Sequence, residues 1–490
     1  MGLIKKQTIK GTVINYIGVI IGFFTAAILS PKVDPKYIGL VSVIVSYSII
    51  ISQIGNLGIQ GITTKLFSKF RTNDNKHNGF LFFAISISII GFLLSSIIII
   101  IIKYLAYSNR DTDDLFIQYY WYIIPVTFFI IFFNLFDNYY KMLFNAVKGI
   151  FLKEFFQKAG TFTALLMIVT GFINFKTFVF VYLLGFSLPG ILIIIVALLD
   201  NKNNFKPNKK FIDKKLKKSI ISVGLFSIIS SASGIVAINI DKIMIEAITG
   251  LSATGIYTTA FYFSVIITIP SRSLLKISSA LIAESWENKE LNNIKTIYKK
   301  STINLFIVGT LLVIGLYINM DNILVLLKGD YAKGEYVIMF IALAFLSDML
   351  TGTAGQILFT SKKYKYQSYL MILFVLLIIG TNLLLIPKYG INGAAIATLA
   401  SKIVINLIRY IIIYQSYKFQ PYNYKFLFVL LISIIVLGIN YYIPKQDFFI
   451  IDIIIRSSII TITYLGLTYL FKISDDINSQ VNSIIKKIKK

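Results

Sequence analysis

Cysteine is absent from the 490 residues. That excludes disulfides, thiolate metal sites and a thiol nucleophile. The single histidine, His77, cannot build a histidine metal site alone. It lies in the polar run from Arg71 to Asn78 and reads as a solvated loop residue. Charge is also scarce, at 14% of residues against about a quarter in a soluble domain. Acids are scarcer still: 22 Asp+Glu face 48 Lys+Arg, a formal net charge of +26. In a soluble chain that excess would point to nucleic acid; here its meaning depends on where it lies. No Gly-x-x-x-x-Gly-Lys-Ser/Thr loop occurs, which removes a P-loop ATPase.

What is present is apolar: 56% of residues are hydrophobic and the mean hydropathy is +0.77. A spanning helix needs about 20 mostly apolar residues. Fourteen runs qualify: 12–29, 37–59, 80–102, 115–138, 159–173, 177–199, 219–240, 252–269, 301–319, 336–360, 368–386, 393–414, 426–443 and 453–471. The fifth is the shortest. The first follows a basic start, Met1 to Lys6, is too long for a signal-peptide core and reads as a retained membrane helix. The runs are continuous rather than alternating, which excludes a β-barrel. The expected fold is an all-α integral membrane protein of about fourteen transmembrane helices.

The basic excess tests the topology through the positive-inside rule. With a cytoplasmic N-terminus, cytoplasmic segments hold 35 Lys+Arg and external connections 10; the acids divide 9 and 11. The whole +26 then falls on the inner face. It reads as an orientation signal, with attraction to anionic lipid headgroups as a compatible extra and no nucleic acid partner. Both termini are expected in the cytoplasm.

The largest basic connection, 200–218, separates runs 1–6 from runs 7–12. The two halves repeat faintly. With Gly39 on Gly255, Tyr47 falls on Phe263 and Ser48 on Ser264. Six spans restore orientation, so two lobes related by an axis along the membrane normal are expected. The expected domains are 1–199, the linker 200–218, a second lobe 219–415, and 416–490 carrying the last two helices and a basic tail.

Three stretches carry a resemblance to a known family. They are Asp34-Pro-Lys-Tyr-Ile-Gly39 with Gly55-Asn-Leu-Gly58; Asn239-Ile-Asp241-Lys-Ile-Met-Ile with Gly250-Leu-Ser-Ala-Thr-Gly255 and Ile269-Pro270; and Pro387-Lys-Tyr-Gly390-Ile-Asn-Gly393. Together they resemble the O-antigen flippases (Wzx-type) and polysaccharide exporters of the multidrug/oligosaccharidyl-lipid/polysaccharide (MOP) superfamily. The resemblance implies a MATE-like fold of two six-helix lobes facing a cavity, and alternating access. It also implies export of undecaprenyl-diphosphate-linked oligosaccharide across the bacterial inner membrane. It makes glycosyltransferases and a glycan polymerase of the same pathway expected partners.

Ionisable groups inside spans cost about 2.5–3.5 kcal/mol each and mark candidate sites. Asp348, twelve residues into the tenth run, is the candidate carrier of a coupling Na⁺ or H⁺; no other cofactor is expected. Lys402 and Arg409 share one face of the twelfth run with Asn406 and are candidates for binding an anionic substrate. Arg272 and Lys276, one turn apart, are candidates for the cytoplasmic mouth of the same cavity. Asp137 with Lys141, and Asp452 with Arg456, have the spacing of interfacial ion pairs. Asp111, Asp113 and Asp114 read as an anion cluster at a helix start.

Two other readings compete. A multidrug or cationic-metabolite antiporter should have twelve helices and more cavity acids than cations. A membrane glycan polymerase or ligase should have a long external loop with catalytic Arg or His. The longest external connection here is 320–335, and the one histidine falls inside. A transporter without catalytic residues is therefore expected.

Overall fold

The computed structural model describes residues 2–488 apart from 73, 75, 202, 209 and 210. Lys202, Lys209 and Lys210 of the basic linker thus lie outside the described residues. About 85% of the chain is helical, and no strand occurs among the described residues. The chain forms two compact units, Met1–Thr258 and Thr259–Lys490.

The first unit contains α1 (Gly2–Phe24), α2 (Pro35–Gly55), the amphipathic α3 (Ile59–Phe70), α4 (Phe80–Ala106) and α5 (Leu115–Tyr119). It continues with α6 (Ile123–Met142), α7 (Ala146–Phe151), α8 (Lys158–Val169), α9 (Phe175–Leu199) and α10 (Lys214–Thr249). Helix α11 (Leu251–Val265) begins in the first unit and ends in the second. The second unit holds α12 (Ile269–Glu287), α13 (Leu291–Ile318), α14 (Met320–Leu326), α15 (Glu335–Met349) and α16 (Ala354–Thr360). After these come α17 (Tyr364–Tyr417), α18 (Lys425–Tyr441), α19 (Phe449–Leu470) and α20 (Asp475–Ile488).

Side-chain caps set several starts by occupying backbone N–H groups that have no partner within the helix. Asp34 accepts from Lys36 N with Pro35 opening α2; Asp114 caps α5; Asn174 caps α9; Asp213 caps α10. Asp114 is thus the capping member of the expected anion cluster.

Ten helices among the described residues are long and apolar enough to cross a membrane, and the bent pair of α15 and α16 makes an eleventh. Three further expected runs lie on helix in other forms. The 54 residues of α17 would reach about 81 Å if straight, far beyond a hydrocarbon core of about 30 Å. Gly390, at φ 56°, breaks it where residues with a Cβ are strained. The halves run back on each other: Lys363 Nζ donates to Ser416 Oγ at 3.0 Å, and the Thr381 and Ser401 hydroxyls meet at 3.3 Å. The short fifth run is only part of a longer helix, because α7, a π-helical segment Leu152–Gln157 and α8 follow one another without a break. The thirteenth run is α18.

Packing is that of a membrane protein. On α4, Ser88, Gly91 and Ser95 are buried while Ile90, Leu93, Leu94, Ile97 and Ile101 are exposed. Small and polar groups make the helix contacts and large apolar side chains face outward, the reverse of a soluble helix.

The sequence repeat reappears as contacts. Within the first unit Gly39 and Gly255 pack backbone to backbone. A Cβ on Gly39 would lie 1.9 Å from Leu251 O, and one on Gly255 would lie 1.9 Å from Pro35 O. Each obstacle is four residues before the other glycine, the reciprocity of a two-fold contact. Ser48 donates to Ile123 O on the fourth run at 3.3 Å, and in the second unit Ser264 donates to Ile338 O on the tenth at 2.8 Å.

One expectation here needs correction. His77 is not solvated: it is 4% exposed, with its ring 5.2 Å from Phe67, and its Nδ1 accepts from Thr72 N. His77 packs against Phe67 and Tyr139, in an aromatic cluster of α3, α4 and α6. The Asp452–Arg456 pair forms, at 2.7 Å, and is buried within the protein at the start of α19, with Asn322, Asn440 and Gln446 completing its hydrogen bonds. Asp137 and Lys141 pair as their spacing requires, at 2.5 Å.

Candidate functional site

The bent span positions the first cluster. Helix α15 stops at Met349, α16 starts at Ala354, and the two axes differ by 51°. The groups freed by the break are satisfied. Asp348 O accepts from Thr351 N and Oγ1, Leu350 O from the Tyr422 hydroxyl, and Thr353 N donates to Ser301 Oγ. A break so fully bonded is a built feature, and broken helices commonly line transporter binding sites. Asp348 therefore stands in the last turn of α15, at the break, rather than in mid-helix.

Helix α17 supplies the other half. Lys402 forms an ion pair with Asp348 Oδ2, and Asn406 Nδ2 donates to Asp348 Oδ1 at 2.9 Å and to Ser347 Oγ at 3.1 Å. Arg409 Nη1 donates to Asn406 Oδ1 at 2.6 Å, while its buried Nε has no partner among the described residues. The Lys402 ammonium lies 4.8 Å from the Phe345 ring centre. The heptad-spaced face thus joins three of the expected site residues into one chain, Lys402–Asp348–Asn406–Arg409. One acid against two cations leaves a net positive charge, and Arg409 is the cation without a carboxylate bonded to it.

Arg272 and Lys276 stand apart from this chain. Both are exposed on α12; Arg272 donates to Thr268 Oγ1 at 3.2 Å, and no hydrogen bond or ion pair joins either to the Asp348 cluster. Among the described residues no group of three His, Asp or Glu side chains could hold a metal ion.

The first unit contains a polar concavity that the sequence reading missed. It is lined by Lys153 and Gln157 of the π segment with Gln53 of α2 and Asn134 of α6. The charge tally assigned Lys153 to a cytoplasmic connection because the fifth apolar run starts at 159. The signal was available: a run of 15 residues is too short to span, and Ile150, Phe151, Leu152, Phe155 and Phe156 extend it toward Lys153.

With the geometry in place, comparison with known proteins narrows the field. Residues 4–282, more than half of the chain, match the family described as polysaccharide biosynthesis protein. The chain belongs to that family. A curated relative, the capsular polysaccharide biosynthesis protein CapF of Staphylococcus aureus, is 26% identical over 192 residues, covering 39% of this chain and 47% of that protein. The match thus spans about half of the relative's length. Among solved structures, the lipid II flippase MurJ in an inward closed conformation superposes with a TM-score of 0.73 at 14% identity, covering 94% of this chain and 98% of that one. An inward-facing MATE multidrug resistance transporter of the MOP superfamily gives 0.63 at 12% identity over 82% and 94%. This family member is therefore a multi-pass membrane protein with the MurJ/MATE fold.

Proposed function

We propose that this polysaccharide biosynthesis protein is a flippase. It carries an undecaprenyl-diphosphate-linked oligosaccharide, the repeat unit of an O-antigen, capsule or exopolysaccharide, across the bacterial inner membrane by alternating access. Both termini are cytoplasmic. Membrane glycosyltransferases supply the substrate and a polymerase receives it. The observation that carries this reading is the joint one: a family named for polysaccharide biosynthesis, on a fold shared with a lipid II flippase.

The physical need is clear. A diphosphate sugar headgroup cannot shed its water and cross about 30 Å of hydrocarbon unaided. Buried polar groups with a net positive charge replace that water and oppose the phosphates. Arg409 suits this role because its guanidinium keeps donors free of any carboxylate. Outward movement of negative charge from a negative interior is favourable by about 2.3 kcal/mol per charge per 100 mV. Inward flow of Na⁺ or H⁺ adds to this if it is taken up at Asp348, since neutralising that carboxylate releases Lys402 to the substrate.

Rescue of a flippase-null bacterial strain carrying a defined lipid-linked glycan tests the reading. Surface glycan should return with this chain and not with an Arg409→Leu, Lys402→Leu variant of equal abundance. Failure with every lipid-linked glycan, together with extrusion of cationic dyes, would favour the antiporter reading, for which the MATE-like fold and the in-span acid Asp348 speak.

A further inference from the structure

The polar concavity of the first unit has no role in the chain of groups around Asp348. It is a pocket of about 240 Å³ formed by α2, α6, α9, α10 and the π segment Leu152–Gln157. About eight waters would fill that volume, which is the scale of a single sugar ring. Three phenylalanines, Phe129, Phe133 and Phe186, give it flat apolar walls. Four polar side chains converge on it: Lys153, Gln157, Asn134 and Gln53.

The state of these four groups points to a ligand. Neither the Lys153 ammonium nor the Asn134 side-chain amide has a hydrogen-bond or ion-pair partner among the described residues. Gln157 is oriented by its own bond, Nε2 donating to Phe186 O at 3.0 Å, which leaves its Oε1 as an acceptor. Gln53 is buried, and its amide makes only a long bond to Ser52 Oγ at 3.4 Å. Lys153 and Gln157 both sit on the π turn, whose wider winding places residues four apart almost one above the other; such turns are frequent at functional sites. Pre-formed pockets with apolar walls and a few convergent polar groups are the usual form of a small-ligand site.

We propose that this pocket binds the glycosyl phosphate end of the lipid-linked substrate. Lys153 pairs with the phosphate attached to the first sugar. The Asn134, Gln157 and Gln53 amides bond the ring hydroxyls, and the phenylalanine faces cover the C–H surface of the ring. A phospholipid headgroup would need the cation but neither three amides nor three aromatic walls. The assignment rests on the flippase reading for its substrate and adds the groups that recognise it.

The test reads Lys153 directly. Purified protein in phosphatidylcholine nanodiscs is treated with an amine-acylating succinimidyl ester, and labelling of Lys153 and Lys148 is followed by peptide mass spectrometry. Glucose 1-phosphate should slow Lys153 labelling by about tenfold, the equivalent of one charge-assisted hydrogen bond. Glucose or inorganic phosphate should each do less, and Lys148, which lies by Asp200, should be unaffected. Asn134→Leu and Gln157→Leu keep the lysine and should reduce protection by glucose 1-phosphate to that of phosphate alone. Unchanged labelling with glucose 1-phosphate overturns the proposal. So does protection by phosphate equal to that by the sugar phosphate, and so does full protection from phosphatidylglycerol nanodiscs without sugar. The two readings fail separately. Protection without rescue of export removes the flippase, and rescue without protection removes the pocket.

Discussion

A single methyl group at Gly39 is the sharpest probe of how the first unit is packed. The new Cβ would lie 1.9 Å from Leu251 O and 2.8 Å from Leu251 C. Both obstacles are backbone, so no side-chain rotation relieves them, and α2 and α11 must part by about 1 Å before the contact is tolerable. Overpacking costs about 1–3 kcal/mol, and the absence of a soft neighbour puts this site at the upper end. Alanine in place of glycine in a helix returns about 1 kcal/mol. The clash wins, with a net loss of about 2 kcal/mol. Gly255→Ala should cost the same, because its methyl meets Pro35 O at the reciprocal point. The separation forced by one methyl makes room for the other, so the double variant should cost well under the sum of the singles. Unfolding in micelles, followed by Trp121 and Trp286 fluorescence, measures all three. Additive losses, or a gain in stability from either single change, would refute the reciprocal contact.

Three further outcomes are expected. Asp348→Asn or Lys402→Met alone leaves its partner uncompensated, so each single variant should unfold at a lower temperature than the double, while surface glycan export should fall in all three; export indistinguishable from wild type in the singles would detach the pair from transport. Arg456→Met strands Asp452, whose side chain is 2% exposed, and should cost about 3 kcal/mol, with partial recovery when Asp452→Asn is added; thermal unfolding reads it, and a neutral Arg456→Met would show the pair to be dispensable. The Asp476 carboxyl at the start of α20 is held below its ordinary value of 3.8 by the Lys300 ammonium, with Asn304 assisting against the effect of burial. Its contribution to docking α20 is complete above pH 3.8 and is lost as pH falls through the depressed value. Protease cleavage near Ser474 should therefore accelerate only in strong acid, and should lose that pH dependence in Asp476→Asn.

The helical class, the membrane setting and the family motifs were legible because each depends on a pattern along the chain. Long apolar runs need no tertiary information, and Asp34-Pro35 marks a helix start by capping chemistry alone. The heptad placing Lys402, Asn406 and Arg409 on one face was also legible, since it is local geometry. What it could not show was the acid they meet. Asp348 joins that face through the tertiary packing of α15 on α17, and 54 residues separate it from Lys402. His77 was misread for the same reason. A polar run looks solvated until the fold lays Phe67 and Tyr139 against it. Lys153 was lost to a rule: an apolar run was ended at a charge, although a charge lining a concavity does not end a helix.

The repeat carries the comparison of the two clusters one step further. A shift that lays Ile123 on Ile338, the carbonyls reached by Ser48 and Ser264, puts Asp348 on Phe133, one residue before Asn134. Neighbouring rather than matching positions on the fourth and tenth runs therefore carry the polar groups, and these differ in charge. In the second unit the acid at that point neutralises Lys402 and leaves Arg409 as the cation without a carboxylate. In the first unit the neutral amide of Asn134 does not neutralise Lys153. Each of the two clusters thus keeps a cation with no carboxylate bonded to it among the described residues. An anionic substrate has a use for such a cation, whereas a cationic one has none. That difference is why the flippase reading explains more of the in-membrane charge than the antiporter does.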